Sequence, residues 1–432
     1  MFLFVISILF FFQLPHVIEA EIGILPYYGN EINIPDFPEN IEARKKMENI
    51  IFAPKSVAIN YRGYRSFNQR IENHRVVFKV VRQKDAFYLL FTNEKDFDFP
   101  VYSRGSYIIK RNRKDGSFLQ CKIFLGFHAE SAVRLYPEGN RTRLTVRMFG
   151  KQIYKDVMIP VEFKSLLVSP FSRIIRLTNK SINWKVLLQV SDYKDTQNIY
   201  RLVKDIRKFL PKMNDAEDGA QNENGEFVFI NDGSVQGEKG GFNCSGFAKW
   251  IIDGLCYPEI GRYLSLEKLK KRHPDLRGNG WSETYEKERD PYFGLDWTRN
   301  LAVQAADALY AAETPSTESM DVRNVPFMHY TEDIGYPVED IRLILFLLTA
   351  MEPGQVYLGS INREYGKGPQ LRQHVHVVVF LPYITAAGDF KISVMERHTE
   401  TSVESLLDRY GKNFVHLVKI KGFRQFFPPS VE

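Results

Sequence analysis

The stretch GGFNCSGFAKWIIDG, residues 240–254, sets one cysteine between a glycine-rich approach and the first turn of a helix. Phe247, Trp250, Ile251 and Leu255 recur at helical spacing and make one apolar face, while Asn243 or Ser245 can cap the start. Cys244 then falls at the positive end of the helix dipole, where a thiolate is stabilised. A plainer reading competes: cysteine is among the most buried residue types and packs as a small apolar group. Cys256, expected to follow the helix beside Tyr257 and Pro258 with no activating geometry, illustrates that use. A nucleophilic Cys244 would also require a base and a third polar group to place it.

Downstream, HVHVVVFLPYI (374–384) offers His374 and His376, two apart and therefore expected on one face of a strand. After the turn AAGD, the strand FKISVMERH (390–398) offers Glu396 and His398, also expected to share a face. Neighbouring antiparallel strands bring such residues within reach of each other, so a base and its orienter are physically plausible. The same residues admit a metal site. His-x-His on a strand is zinc-like, and HYTED (329–333) adds His329 and Asp333. With GQVYLG (354–359) ahead of the strand, this arrangement is similar to lysostaphin-type zinc endopeptidases. Those enzymes are nearly all β between these motifs, whereas here the apolar helix IRLILFLLTA (341–350) intervenes, and Cys244 would be idle.

The order of motifs favours the thiol. NCSGF at 243–247, EPGQVYLGS at 352–360, HVHVVVFLP at 374–382 and VMERHTET at 394–401 follow one another as in a known family. Over roughly residues 225–432 the chain resembles the NlpC-type papain-like cysteine peptidases of bacterial cell walls. The resemblance implies an α+β catalytic domain, with the cysteine helix packed on an antiparallel sheet and no cofactor or metal. It implies Cys244 as nucleophile and His376 as base, since Pro382 lies six residues on, where the family's strand reaches its turn residue. His374 is the alternate base, Glu396 the third polar residue and His398 its alternate. Asn243 replaces the family's usual aspartate, Gln355 replaces the aspartate after Pro-Gly, and the insertion between cysteine and histidine is long. The implied activity is hydrolysis of amide bonds in peptidoglycan stem peptides, near a D-amino-acid linkage. Within the insertion, GNGWSETYEKERDPYFGLDW (278–297) is rich in aromatic and charged residues and could line a specificity groove or be a solvated surface excursion.

The remainder of the chain frames this domain. MFLFVISILFFFQLPHVIEA (1–20) reads as a signal peptide with a cleavage position at Ala20, an uncleaved anchor being the alternative. Residues 21–54 read as an extended segment and 55–210 as a β-rich domain, sandwich or barrel, ending in the helix DTQNIYRLVKDIRKFL. PKMNDAEDGAQNENGE (211–226) is polar and reads as a linker to the cysteine domain, 227–432. The expected location is periplasmic or extracellular. Lys and Arg number 58 against 52 Asp and Glu, an excess spread along the chain with no basic stripe, which argues against nucleic acid as partner. Cys121 and Cys256 could pair, leaving Cys244 free. The alternatives to a cysteine hydrolase are the zinc endopeptidase and a non-catalytic wall-binding protein.

Overall fold

The computed structural model describes residues 37–69, 74–188, 193–237, 239–276, 290–310, 315–365, 371–386, 388–422 and 425–431. The expected signal peptide and most of the aromatic insertion, 277–289, lie outside the described residues. The fold is mixed helix and sheet, of the α+β kind, with a large N-terminal antiparallel sheet.

Strands β1 (Arg65–Asn68), β2 (Arg75–Arg82), β3 (Ala86–Asn93), β4 (Tyr107–Asn112), β5 (Phe118–Phe124), β6 (Ala132–Glu138), β7 (Arg141–Met148) and β8 (Lys151–Ile159) pair in chain order as one antiparallel meander. Alternation sets its two faces: Phe87, Leu89 and Phe91 of β3 enter the main core, while Tyr88 and Leu90 point the other way. Between β6 and β7, Glu138 pairs with Arg141 and Gly139 takes a φ of 60°, the left-handed geometry a two-residue hairpin loop needs. The expected extended segment is in fact helical from residue 41: α1 (Ile41–Lys46) and the turn after it bury Ala43, Met47 and Ile51, spaced four apart, against this sheet. Buried Arg44 bonds the carbonyls of Leu167 (2.5 Å) and Ser169 (3.0 Å) and lies 3.8 Å above the Tyr107 ring.

The second sheet is antiparallel and has six strands in the order β11-β16-β12-β13-β14-β15, where β11 is Tyr336–Pro337, β12 Gln355–Tyr365, β13 Leu371–Ile384, β14 Phe390–Glu396, β15 Thr399–Thr401 and β16 Phe414–Lys421. Both of its faces are covered, so β13 reads as a continuous apolar run. Val377, Val379 and Leu381 pack beneath three helices, α2 (Tyr193–Arg207), α3 (Cys244–Ile260) and α4 (Phe293–Tyr310). Val378 and Phe380 belong to the core shared with the N-terminal sheet. In that shared core lies α5 (Ile341–Met351), apolar almost all round, with Phe346 in one ring cluster with Phe127, Phe149 and Phe390. Among the described residues no helix is long and apolar enough to cross a membrane.

The segment expected as a linker belongs to the packing around α3. Within it, β9 (Gly219–Gln221) is fully buried and pairs with β10 (Phe227–Phe229). Likewise α2, expected to end the β-rich domain, packs on β13. The approach to Cys244 is pinned to the same segment, Phe242 N–H donating to Asn214 O (2.9 Å) and Asn243 N–H to Gly219 O (3.0 Å). At Gly246, a Cβ would stand 2.0 Å from the Gly219 carbonyl oxygen, so only glycine lets α3 lie this close to β9. Gly246→Ala is expected to destabilise the protein by about 1–3 kcal/mol through overpacking. Gly237→Ala, where a Cβ would meet nothing within 4 Å, should stay within about 0.5 kcal/mol of wild type in the same denaturation experiment.

Candidate functional site

Asn243 caps α3, its Oδ1 accepting from Gly246 N–H at 2.8 Å. That leaves Cys244 and Ser245 as the first two residues of the helix, whose N–H groups have no intrahelical acceptor. Ser245 is fixed from behind, since Trp297 of α4 donates its indole N–H to the Ser245 carbonyl at 3.0 Å. The Cys244 thiol is half-buried and reaches an open place in the second sheet. Strand β14 pairs with β13 only from Met395 opposite Val379, so β13 has no ladder partner on that side at His376 and Val377. Cys244 stands beside this gap, its thiol under the electrostatic influence of the His376 ring and the Val377 N–H.

His376, 6% exposed, bonds Glu396 through Nε2 at 2.7 Å. Its other nitrogen, Nδ1, is thereby left for the thiol. Glu396 is 3% exposed and its second oxygen is held by Arg409 and by the Thr401 hydroxyl. Arg409 sits in α6 (Val403–Tyr410), and the next residue, Tyr410, stacks on the imidazole with ring centroids 5.6 Å apart. Burial alone would push the thiol up. The His376 hydrogen bond and charge, the Val377 N–H and the Ser245 hydroxyl outweigh it and bring Cys244 below the ordinary cysteine value. Burial likewise opposes the imidazolium, yet Cys244 and Glu396 together raise His376 to about 9. Glu396 is lowered against its own burial to about 2 by His376, Arg409 and Thr401. The three shifts run in the same sense, each favouring the charged form: thiolate, imidazolium and carboxylate.

Of the residues singled out in the sequence, Cys244, His376 and Glu396 are brought together. His374 is not. Ile361 faces His376 while its neighbour Asn362 faces His374, so a bulge at Val375 puts the two histidines on opposite faces instead of the one face their spacing suggests. His374 instead bonds Ser360 Oγ at 3.0 Å and packs near Phe293. His398 is also displaced from Glu396's face. Strand β14 ends at Glu396, and Arg397 and His398 form a two-residue turn with φ of 45° and 44°. Arg397 of that turn pairs with Asp215 at 3.0 Å. Among the described residues no group of three or more His, Cys, Asp or Glu side chains is arranged to hold a metal ion, so His329, Asp333 and the two strand histidines do not converge. Cys121 and Cys256 are both free, the first in the core of the N-terminal sheet and the second buried within α3, a helix expected to end before it, and this corrects the suggested pairing. Arg409, Thr401 and Tyr410 were not anticipated. A serine cap before an amphipathic helix signals α6, but nothing in the sequence aims Arg409 at Glu396.

A family model described as "Domain of unknown function (DUF8515)" matches residues 33–186, the region of the N-terminal sheet. No curated protein and no solved structure matches the chain.

Proposed function

We propose that the chain is an exported cysteine hydrolase of the NlpC-type papain-like kind, cutting amide bonds in peptidoglycan stem peptides at the periplasmic or extracellular wall. The observation that carries the chemical part is the grouping at the start of α3 of Cys244 with His376, which is bonded to buried Glu396 at 2.7 Å and shifts the thiol downward. The wall substrate and the location rest on the resemblance of the motifs around that line.

In this reading the Cys244 thiolate attacks the amide carbonyl carbon and a C–S bond forms. The carbonyl oxygen becomes an oxyanion facing the helix start, where the Cys244 N–H is directed. The His376 imidazolium gives its proton to the amide nitrogen as the C–N bond breaks, and the amine leaves. A thioester remains. His376, now neutral, takes a proton from water as the water oxygen attacks the thioester, and collapse returns the thiolate and releases the acid. Glu396 stays ionised and holds the imidazole ring in place.

Incubation of the protein with purified sacculi tests the reading. Release of soluble peptide fragments should stop after treatment with iodoacetamide and continue in the presence of a chelator. The reverse pattern would replace the thiol by a metal, and binding without release under every condition would make the chain a wall-binding protein.

A further inference from the structure

The outward face of the N-terminal sheet gathers positive charge that is scattered in the sequence. In register across the strands, Lys79 of β2 stands opposite Leu90, Leu90 opposite Ile108, Ile108 opposite Lys122, and Lys122 opposite Arg134 of β6. One step along the strands lie Lys110 of β4 and, opposite Ala132, Arg147 of β7. Every other residue of a strand shares a face, so five strands contribute cations to one surface. Like charges directly opposite one another are destabilising, and Lys122 and Arg134 are such a pair. The cost is visible at Lys122. Burial, Arg134 and Arg147 lower it below the ordinary lysine value, with only Glu130 acting against them. The Nε atoms of Arg134 and Arg147 are buried without a hydrogen-bond partner, and Arg134 has no acidic partner among the described residues.

We infer that this face binds a linear polyanion that carries phosphate groups and no bases. Two observations choose that partner. The apolar residues beneath the cations are each less than a tenth exposed, Leu90 6%, Ile108 8% and Phe124 4%, and the two exposed apolar side chains of the face, Val81 and Met158, stand far apart on β2 and β8, so they form no patch to insert into a bilayer. The rings of the face each carry a cation, Tyr88 that of Lys110 at 5.9 Å, Phe124 that of Lys122 at 4.3 Å and Tyr136 the Arg143 guanidinium at 4.4 Å, so a nucleobase would compete with these cations for the rings. A charged polymer instead asks only for a row of cations, and strands stand about 4.8 Å apart, close enough for successive cations to engage one chain. The inference is independent of the thiol chemistry.

Long-chain inorganic polyphosphate is the probe. The full chain should bind it with an affinity that falls steeply with salt. The triple variant Lys79→Gln, Lys122→Gln, Arg134→Gln should bind at least about tenfold more weakly, with the salt slope reduced by about two. Its thermal midpoint should be unchanged or raised, because repulsion is removed, and Arg134→Gln alone should show the same direction. The equivalent charge loss at Lys180, Lys212 and Lys268, outside the sheet, should leave affinity within about twofold. Equal binding by the triple variant, no binding by wild type at 150 mM salt, or tighter binding to anionic phospholipid vesicles or to single-stranded DNA would each overturn the inference.

Discussion

Cys244→Ala is expected to lower the release of soluble fragments from sacculi by at least about 10⁴-fold, while leaving the fold and the binding of sacculi intact. The size of the effect follows from the route: without sulfur no thioester forms, and His376 has no nucleophile to activate. Cys244→Ser should be nearly as inactive. A serine hydroxyl is not brought to an ionised state by the imidazole, Val377 N–H and helix start that lower the thiol. The fold should survive because a single sulfur atom is removed and the helix is held by other groups, Asn243 at its cap, Gly246 on β9 and Trp297 on the Ser245 carbonyl. Fragment release is measured against time on purified sacculi, and the thermal midpoint checks folding. A Cys244→Ala protein that folds and still releases fragments at a tenth of the wild-type rate would remove the thiol from the mechanism.

How much of this was visible in the sequence depends on the range over which each feature is encoded. The start of the α3 helix, with Cys244 in its first turn, was legible because cap and apolar face lie within a few residues of one another, but its end was not: the helix runs past Cys256 to Ile260 with Pro258 inside it. Strands β2, β3, β4, β5, β7, β12, β13, β14 and β16 were legible for the same reason as that start, whereas KVLLQV (185–190), which reads as a strand from its β-branched and apolar residues, is helical over Trp184–Leu187. The nature of residues 211–226 was not legible. Their polar composition hides Gly219, Ala220 and Gln221, whose small or hydrogen-bonded side chains suit a buried strand packed on a helix. A bulge adds one residue without any mark in composition, so the spacing of His374 and His376 suggested a shared face that Val375 abolishes. Arg409 and Thr401 reach Glu396 across a turn and a helix whose relative placement is tertiary. The basic face was illegible for a related reason. Its cations are one or two per strand over some seventy residues, and only the strand register collects them.

Glu396→Gln is expected to reduce kcat/KM by about 10²-fold and to narrow the pH range of activity from both ends. In the wild type Cys244 and the carboxylate together raise His376 to about 9 against its burial, and the imidazolium in turn helps lower Cys244. The active ion pair therefore exists from the lowered thiol value up to about pH 9. Glutamine keeps the shape of the side chain but removes the negative charge, so the imidazolium loses one of its two stabilising partners and its pKa falls. The alkaline limb moves to lower pH. With less positive charge beside it the thiol rises, and the acid limb moves to higher pH. Stability should follow the same linkage. His376, raised from 6.5, contributes stability that is fully present below about pH 6.5 and lost as pH rises through about 9. Glu396, lowered from 4.5, contributes stability present above about pH 4.5 and lost as pH falls toward 2. The wild type should exceed the variant most between about pH 4.5 and 6.5, where both contributions are complete. Arg409 sharpens the test: it also holds Glu396, so Glu396→Gln leaves a guanidinium facing a neutral amide, whereas Arg409→Gln keeps the carboxylate and its bond to His376. The second variant should therefore retain an alkaline limb near that of wild type and lose less activity. An unshifted alkaline limb in Glu396→Gln, measured as kcat/KM or as the rate of thiol alkylation against pH, would show that His376 owes its charge to Cys244 alone.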